Sequence, residues 1–103
     1  MKISYIDYLD IPNKQRNGIY EIERFEIFHY LNGKLHREDG PAFEHINGQK
    51  EWYVNGKLHR LDGPALEWRS GTKYYYIEDK YCYTKEEFDK VAYLYLNGLQ
   101  DYL

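Results

Sequence analysis

At 103 residues the chain has the size of one domain with a modest core, and 43% hydrophobic with 30% charged residues predicts folding rather than disorder. A net charge of −3 gives no electrostatic case for an extended nucleic-acid track, although a compact anion in a local basic pocket stays compatible with it. The single cysteine, Cys82, excludes an internal disulfide, and no apolar run approaches the roughly 20 residues of a membrane span.

Asp7 and Asp10 stand where a signal peptide would be apolar, so a cytoplasmic, soluble protein is expected. Residues 2–8 alternate and predict a short strand with Ile3, Tyr5 and Asp7 on one side. Asp10 to Gly18, broken by Pro12 and ending in Asn17-Gly18, reads as a loop. Ile19 to Leu31 is rich in Ile, Phe and Tyr and predicts one longer strand, completing an N-terminal section over 1–29.

From Tyr30 to Lys80 the chain is written twice. Tyr30-Leu-Asn-Gly-Lys-Leu-His-Arg-Glu-Asp-Gly-Pro-Ala42 returns as Tyr53-Val-Asn-Gly-Lys-Leu-His-Arg-Leu-Asp-Gly-Pro-Ala65, an offset of 23 residues. Glu44 recurs as Glu67, Gly48 as Gly71 and Lys50 as Lys73, and a fading third copy opens with Tyr76-Ile-Glu-Asp-Lys80. Two copies in register predict one structural unit stacked on itself, because a lone unit cannot cover its own apolar face. Asn32-Gly33, Asn47-Gly48 and Asn55-Gly56 predict type I′ turns, and Ser70-Gly71 takes the equivalent place. The Asp-Gly-Pro-Ala corners reverse the chain differently, since Pro interrupts the ladder.

A two-residue loop at Asn47-Gly48 sets Phe43 opposite Trp52. One face then collects Phe43, His45, Trp52, Val54, Leu66, Trp68, Tyr75 and Ile77 as the core. The other collects Ala42, Glu44, Glu51, Tyr53, Ala65, Glu67, Tyr74 and Tyr76 as a wet surface with a tyrosine row, Tyr30–Tyr53–Tyr76. Thr84-Lys-Glu-Glu87 is a capping box, and Phe88, Val91, Ala92, Tyr95 and Leu96 recur at helical spacing. A helix over 84–97 is predicted to lie on the Trp52/Trp68 face. The expected fold is α+β, mostly β: an antiparallel meander of stacked β-hairpins over 30–80, with the C-terminal helix on one face, in a single domain over 1–103.

His36-Arg37-x-Asp39 and His59-Arg60-x-Asp62 are the residues that most suggest chemistry. A zinc site needs about four convergent ligands and the one cysteine lies elsewhere, so no metal or other cofactor is expected. The corners recur with the turn itself, which favours Arg and Asp bracing the corner while His packs beside them. Ser4 and Ser70 have no His–Asp arrangement around them, and Cys82 has only Lys80 and Lys85 as local activating charges, so it reads as a small core side chain. No motif argues for catalysis. The tyrosine row, flanked by Glu44, Glu51, Glu67, Lys50 and Lys73, has the composition of an interface; cross-strand pairing that merely holds the sheet is the plainer alternative.

The units Asn-Gly-Lys-Leu-His-Arg-x-Asp-Gly-Pro-Ala, each followed by Glu, a Gly turn and Trp/Tyr-Tyr, resemble the MORN-like repeats of small proteins in bacteria and their large phages. Tyr83-Thr-Lys-Glu-Glu-Phe-Asp89 is similar to the segment that closes such arrays. The resemblance spans residues 28–90 and leaves 1–27 and 93–103 outside. It implies stacked β-hairpins and an interaction role rather than a reaction, in a bacterial host cytoplasm if the chain is phage-encoded. The third copy lacks the His-Arg-x-Asp corner, so a site built from it exists at most twice.

The expectation is a non-enzymatic binding module that engages and blocks a protein partner, in its most concrete form a phage inhibitor of a host defence factor. Tyr30, Tyr53, Tyr74, Tyr76 and Glu51 would form the contact face. The alternative is a protein that sequesters a small, nucleotide-like anion through His36, Arg37, His59 and Arg60. Open strand edges also predict self-association into a homo-oligomer. No membrane contact is expected.

Overall fold

The recurrence in the sequence returns as a recurrence of hydrogen bonds. In a computed structural model that describes residues 1–99, His29 N–H donates to the Ala42 carbonyl at 2.7 Å and Trp52 N–H to that of Ala65 at 2.7 Å. Ala42 N–H then donates to Glu51 O at 2.8 Å, and Ala65 N–H to Tyr74 O at 3.0 Å. Every partner moves by the same step along the chain, so the two copies close their backbones identically. The last four residues of the expected 1–103 domain lie outside the described residues.

The elements are β1 (Lys2–Ile3), α1 (Tyr5–Asp10), β2 (Gly18–Ile22), β3 (Glu26–Leu31), β4 (Lys34–Leu35), β5 (Phe43–His45), β6 (Lys50–Glu51), β7 (Tyr53–Val54), β8 (Lys57–Leu58), β9 (Leu66–Glu67), β10 (Lys73–Ile77), β11 (Lys80–Cys82) and α2 (Lys85–Leu96). One sheet runs β1-β2-β3-β5-β6-β9-β10-β11, with β4 paired on β3, and β7 with β8 forms a separate hairpin. The fold is therefore α+β and mostly β. Its sheet follows chain order, except that β7–β8 and the corner after it make an excursion before β9 returns to pair with β6.

The N-terminal section departs from expectation twice. Ser4 caps α1, its Oγ accepting from Asp7 N–H at 3.1 Å, and Asp7 in the first turn favours the positive end of the helix dipole. The strand expected over 2–8 is thus only β1, which pairs parallel to β2, and the rest is helix. The strand expected over 19–31 is a hairpin. Glu23 and Arg24 take positive φ (53° and 77°), and Phe25 N–H donates to Ile22 O at 2.9 Å. No Gly, Asn or Asp marks this turn, so nothing in the sequence announces it.

The turns explain which way the faces point. Asn32-Gly33 and Asn55-Gly56 have both central φ positive, as a type I′ turn requires, and Glu78-Asp79 repeats that conformation (51° and 64°) without a glycine. At 46–48 only Gly48 is positive (φ 102°), and Gly48 N–H donates to His45 O while His45 N–H donates to Gln49 O. That is a three-residue loop ending in a left-handed glycine, and Trp68 to Thr72 repeats it. The extra residue slips the register, so Phe43 faces Glu51, not Trp52.

One slip moves each side chain to the other face. Ala42 and Ala65, expected on the wet surface, are 0% exposed, whereas Trp68, expected in the core, is 43% exposed. By register, one face carries Tyr20, Phe28, Phe43, Glu51, Leu66 and Tyr74. The opposite face sets Glu44 against Lys50, Lys50 against Glu67 and Glu67 against Lys73, a ladder of alternating charge.

The core lies in two pieces. Tyr8 of α1 packs with Tyr20 and Ile22 at one end, with Phe28 and Tyr30 beside them. At the other end Phe88, Val91 and Ala92 of α2 pack on Ile77 and Cys82, with Leu61, Tyr75 and Tyr95 alongside. Thr84 caps α2 as expected: its Oγ1 accepts from Glu87 N–H at 3.0 Å, and Glu87 reaches back to Tyr83 N–H at 3.1 Å. The helix therefore covers Tyr75 and Ile77, as expected, together with Cys82, but not Trp52 or Trp68. No helix among the described residues is long and apolar enough to cross a membrane.

Candidate functional site

Each Asp-Gly-Pro corner is wrapped around an arginine. Arg37 Nε donates to Asp39 Oδ1 at 2.8 Å and Arg60 Nε to Asp62 Oδ1 at 2.9 Å. Their Nη1 groups donate to the carbonyls of Pro41 (3.2 Å) and Pro64 (3.0 Å). The Arg37 guanidinium holds the Asp39 carboxyl below the usual carboxylate range, first through that hydrogen bond and then through its charge.

What the arginine leans on differs between the copies. Arg60 lies over the Trp52 ring at 4.0 Å, whereas Arg37 Nη1 meets His29 Nε2 at 3.2 Å. Arginine can only donate, so His29 Nε2 accepts and its neutral ring carries the proton on Nδ1. Burial, and next the Arg37 charge, lowers the proton affinity of His29. His29 stands 23 residues before Trp52, and that offset was the signal that could have found it.

His36 and His59 join successive hairpins. His36 Nδ1 accepts from Asn55 N–H at 2.9 Å, and His59 Nδ1 accepts from Glu78 N–H at 3.1 Å. Burial lowers the proton affinity of His59, against an opposing pull from Glu78. Each histidine thus ties the turn of the next hairpin to the corner that precedes it.

Between the two corners lies a cleft of about 560 Å³ lined by Arg37, Asp39, Trp52, His59, Arg60 and Asp62, with Glu38 also on its wall. Arg37, His59 and Arg60 of the anion reading meet there, and His36 stays outside the lining. Both guanidinium groups are already bonded to their own aspartates, and Glu38 adds a third carboxylate. The lining therefore carries three acidic groups against two arginines, a poor field for an anion.

Of the expected tyrosine row, Tyr30 parts from Tyr53 and Tyr76. Tyr30 is held under α1, where its hydroxyl lies 2.6 Å from that of Tyr8 and accepts from Arg16 Nη1 at 3.2 Å. Arg16, only 7% exposed, also donates to Tyr8 Oη and to the Tyr8 and Ile11 carbonyls. Its guanidinium stacks on the Tyr8 ring at 3.8 Å, and burial raises the Tyr8 phenol well above its ordinary value. Neither Arg16 nor Tyr8 gave any sign of this role in the sequence, because their partners are backbone oxygens and rings brought together by the fold. Tyr30 is accordingly no part of an open surface.

Tyr53, in the separate β7–β8 hairpin, and Tyr76, in β10, lie away from the α1 end. Tyr53 Oη donates to Glu51 Oε1 at 2.6 Å, and Gln49 Nε2 donates to Glu51 Oε2 at 2.6 Å. Burial, and then the Glu51 hydrogen bond, raises the Tyr53 phenol. Tyr81 packs against Tyr74 (6.0 Å between ring centres), Tyr76 (5.3 Å) and Tyr83 (4.6 Å). Tyr81 and Tyr83 were missed; Tyr81 pairs with Tyr76 of β10 across the Glu78-Asp79 turn, which carries no glycine, and Tyr83 follows just beyond β11.

Tyr74 and Tyr76 point to the face opposite the one that α2 covers, because Tyr75 and Ile77 alternate with them in β10. The structure thus brings Glu51, Tyr53, Tyr74 and Tyr76 into one region and adds Tyr81 and Tyr83. Cys82 is buried beneath α2, and burial pushes its thiol up, which suits a packing role. Among the described residues, no group of three or more His, Cys, Asp or Glu side chains converges as a metal site requires.

Comparison of the chain with protein-family models, with curated proteins and with solved structures returned no match.

Proposed function

We propose that the chain is a non-catalytic binding module that grips a protein partner through the tyrosine cluster of β10 and β11. The observation that carries this reading is the linked group Tyr74, Tyr76, Tyr81 and Tyr83, bordered by the Glu51–Tyr53 pair. Tyrosine supplies large contact area with a polar tip at little entropic cost, and interfaces are enriched in it. Tyr83 is 78% exposed, far more than a residue needed only to brace the sheet.

The MORN-like resemblance of residues 28–90 gives this reading its concrete form: a cytoplasmic, phage-encoded protein that blocks a bacterial defence factor. The test is affinity capture from a bacterial lysate, comparing the wild-type chain with the double variant Tyr81→Ala, Tyr83→Ala. Both lie at or beyond the last strand, so the fold should persist, with stability changed by about 1–2 kcal/mol. A captured protein that disappears with the double variant supports the reading. Undiminished capture by a folded variant rejects this face.

A further inference from the structure

A second surface lies at the other end of the molecule, away from β10 and β11. Phe25 projects from the β2–β3 turn and is 55% exposed, and Ile46 projects from the β5–β6 loop and is 67% exposed. Ile46 N–H donates to the Phe25 carbonyl at 2.8 Å, so the two apolar tips are tied together. Two hollows, one on each side of the sheet, meet at Phe25 around the sheet's end. One runs over Ile27 to Ile46; the other runs to Tyr5 and Ile6 of α1, where Ile6 is 73% exposed. The turn that presents Phe25 holds Glu23 and Arg24 at positive φ, a backbone cost of the kind that clusters at recognition sites.

The charged groups that line these hollows are mostly acidic, although Glu44 also faces Lys50 of β6. Glu21, Glu23, Glu26 and Glu44 line the two hollows, against Arg24 as the one arginine or lysine. An apolar strip with an acidic rim is complementary to a segment that carries apolar side chains flanked by Lys and Arg. We infer that the Phe25–Ile46 surface docks a basic amphipathic segment of a protein partner. The inference does not depend on the tyrosine cluster, from which it differs in elements and in charge.

The probe is a synthetic amphipathic peptide of leucine and lysine, with a leucine–glutamate peptide of the same pattern as its control. Titration of the isotopically labelled chain, followed by amide chemical shifts, should give saturable shifts centred on Ile6, Phe25 and Ile46 with the basic peptide alone. Phe25→Ser combined with Ile46→Ser should weaken binding about tenfold. Glu23→Gln with Glu44→Gln, which leaves the apolar tips intact, should weaken it and flatten its salt dependence. Shifts centred on Tyr74–Tyr83, equal binding of the acidic peptide, or indifference to both pairs of substitutions would overturn the inference. So would a concentration-dependent dimer abolished by Phe25→Ser, which would assign the surface to a second copy. Binding to phosphatidylserine vesicles would equally count against it.

Discussion

Gly40 and Gly63 sit where a Cβ would come within 2.8 and 2.7 Å of the guanidinium carbons of Arg37 and Arg60. The corner glycine therefore makes room for the arginine that braces the corner, which is why Arg, Asp and Gly recur together. Gly63→Ala should push Arg60 off both Asp62 and the Trp52 ring and lower stability by about 1–3 kcal/mol, read from urea unfolding. An unchanged midpoint would show that Arg60 contributes nothing to the corner. Histidine sets a second residue-scale expectation. His59 Nδ1 accepts a backbone N–H, and burial holds its proton affinity below the ordinary value of 6.5. His29 is lowered in the same direction. The unfolded chain therefore takes up these protons first, so their stabilisation is whole above pH about 6.5 and is lost as the pH falls towards the folded values. Asp39 and Glu78, held low by Arg37 and by Tyr95 respectively, add their own loss only further into acid. Unfolding midpoints should be flat from about pH 8 to 7 and decline between about 6.5 and 5, less steeply in His59→Gln. A midpoint that rises over that window would contradict the assignment. The Arg–Asp brace could be read in the sequence because its spacing is local. The acceptor role of His36 and His59 could not, since Asn55 and Glu78 lie 19 residues away from them.

At the scale of elements, α2 was the most legible feature, because capping box and apolar spacing agree over one short stretch, which Asn97-Gly98 then closes. Its docking partner was legible only in part: Tyr75 and Ile77, read as core, do lie beneath it, whereas Trp52 and Trp68, read as sharing their face, do not. What parted them is a loop one residue longer than Asn47-Gly48 suggests, repeated at 69–71, which sets Leu66 opposite Tyr74 and not Tyr75. The same dipeptide closes a two-residue turn at Asn55-Gly56 and ends a three-residue loop at Gly48, and the difference is one backbone φ at Asn47. The helix is nevertheless a cover. Ending the chain at Tyr83 would uncover Ile77, Cys82 and Tyr75, side chains whose burial contributes roughly 1.5–3 kcal/mol each where fully buried and apolar. It would also remove the Tyr95 hydroxyl that donates to Glu78 at 2.7 Å. The 1–83 fragment should be insoluble or unfolded by circular dichroism; a soluble, folded fragment would remove α2 from the core.

The whole molecule is a slab of 43 × 30 × 18 Å, long for its size because the sheet grows in one direction and each helix covers one end. The turn dipeptides and the repeat foretold a mostly β chain and which of its segments would look alike. Neither foretold that α1 and α2 would take opposite faces, since α1 hides in a stretch that alternates like a strand and β3 is cut from β2 by a turn of Glu and Arg. The middle of the slab is left to short strands held by the paired corners. The tyrosine cluster and the Phe25–Ile46 surface fall at its two ends, where a partner on one would leave the other free.

Because His36 and His59 each accept a hydrogen bond from a backbone N–H of the following turn, the joint between units is the same wherever it is made. Splicing another 23-residue module after Ala65 would ask for no new joint, only a repetition of one already present. Reach, the distance separating the two ends, is then a quantity that copying a gene segment can adjust in fixed increments while the terminal caps and their contact surfaces are carried along unaltered.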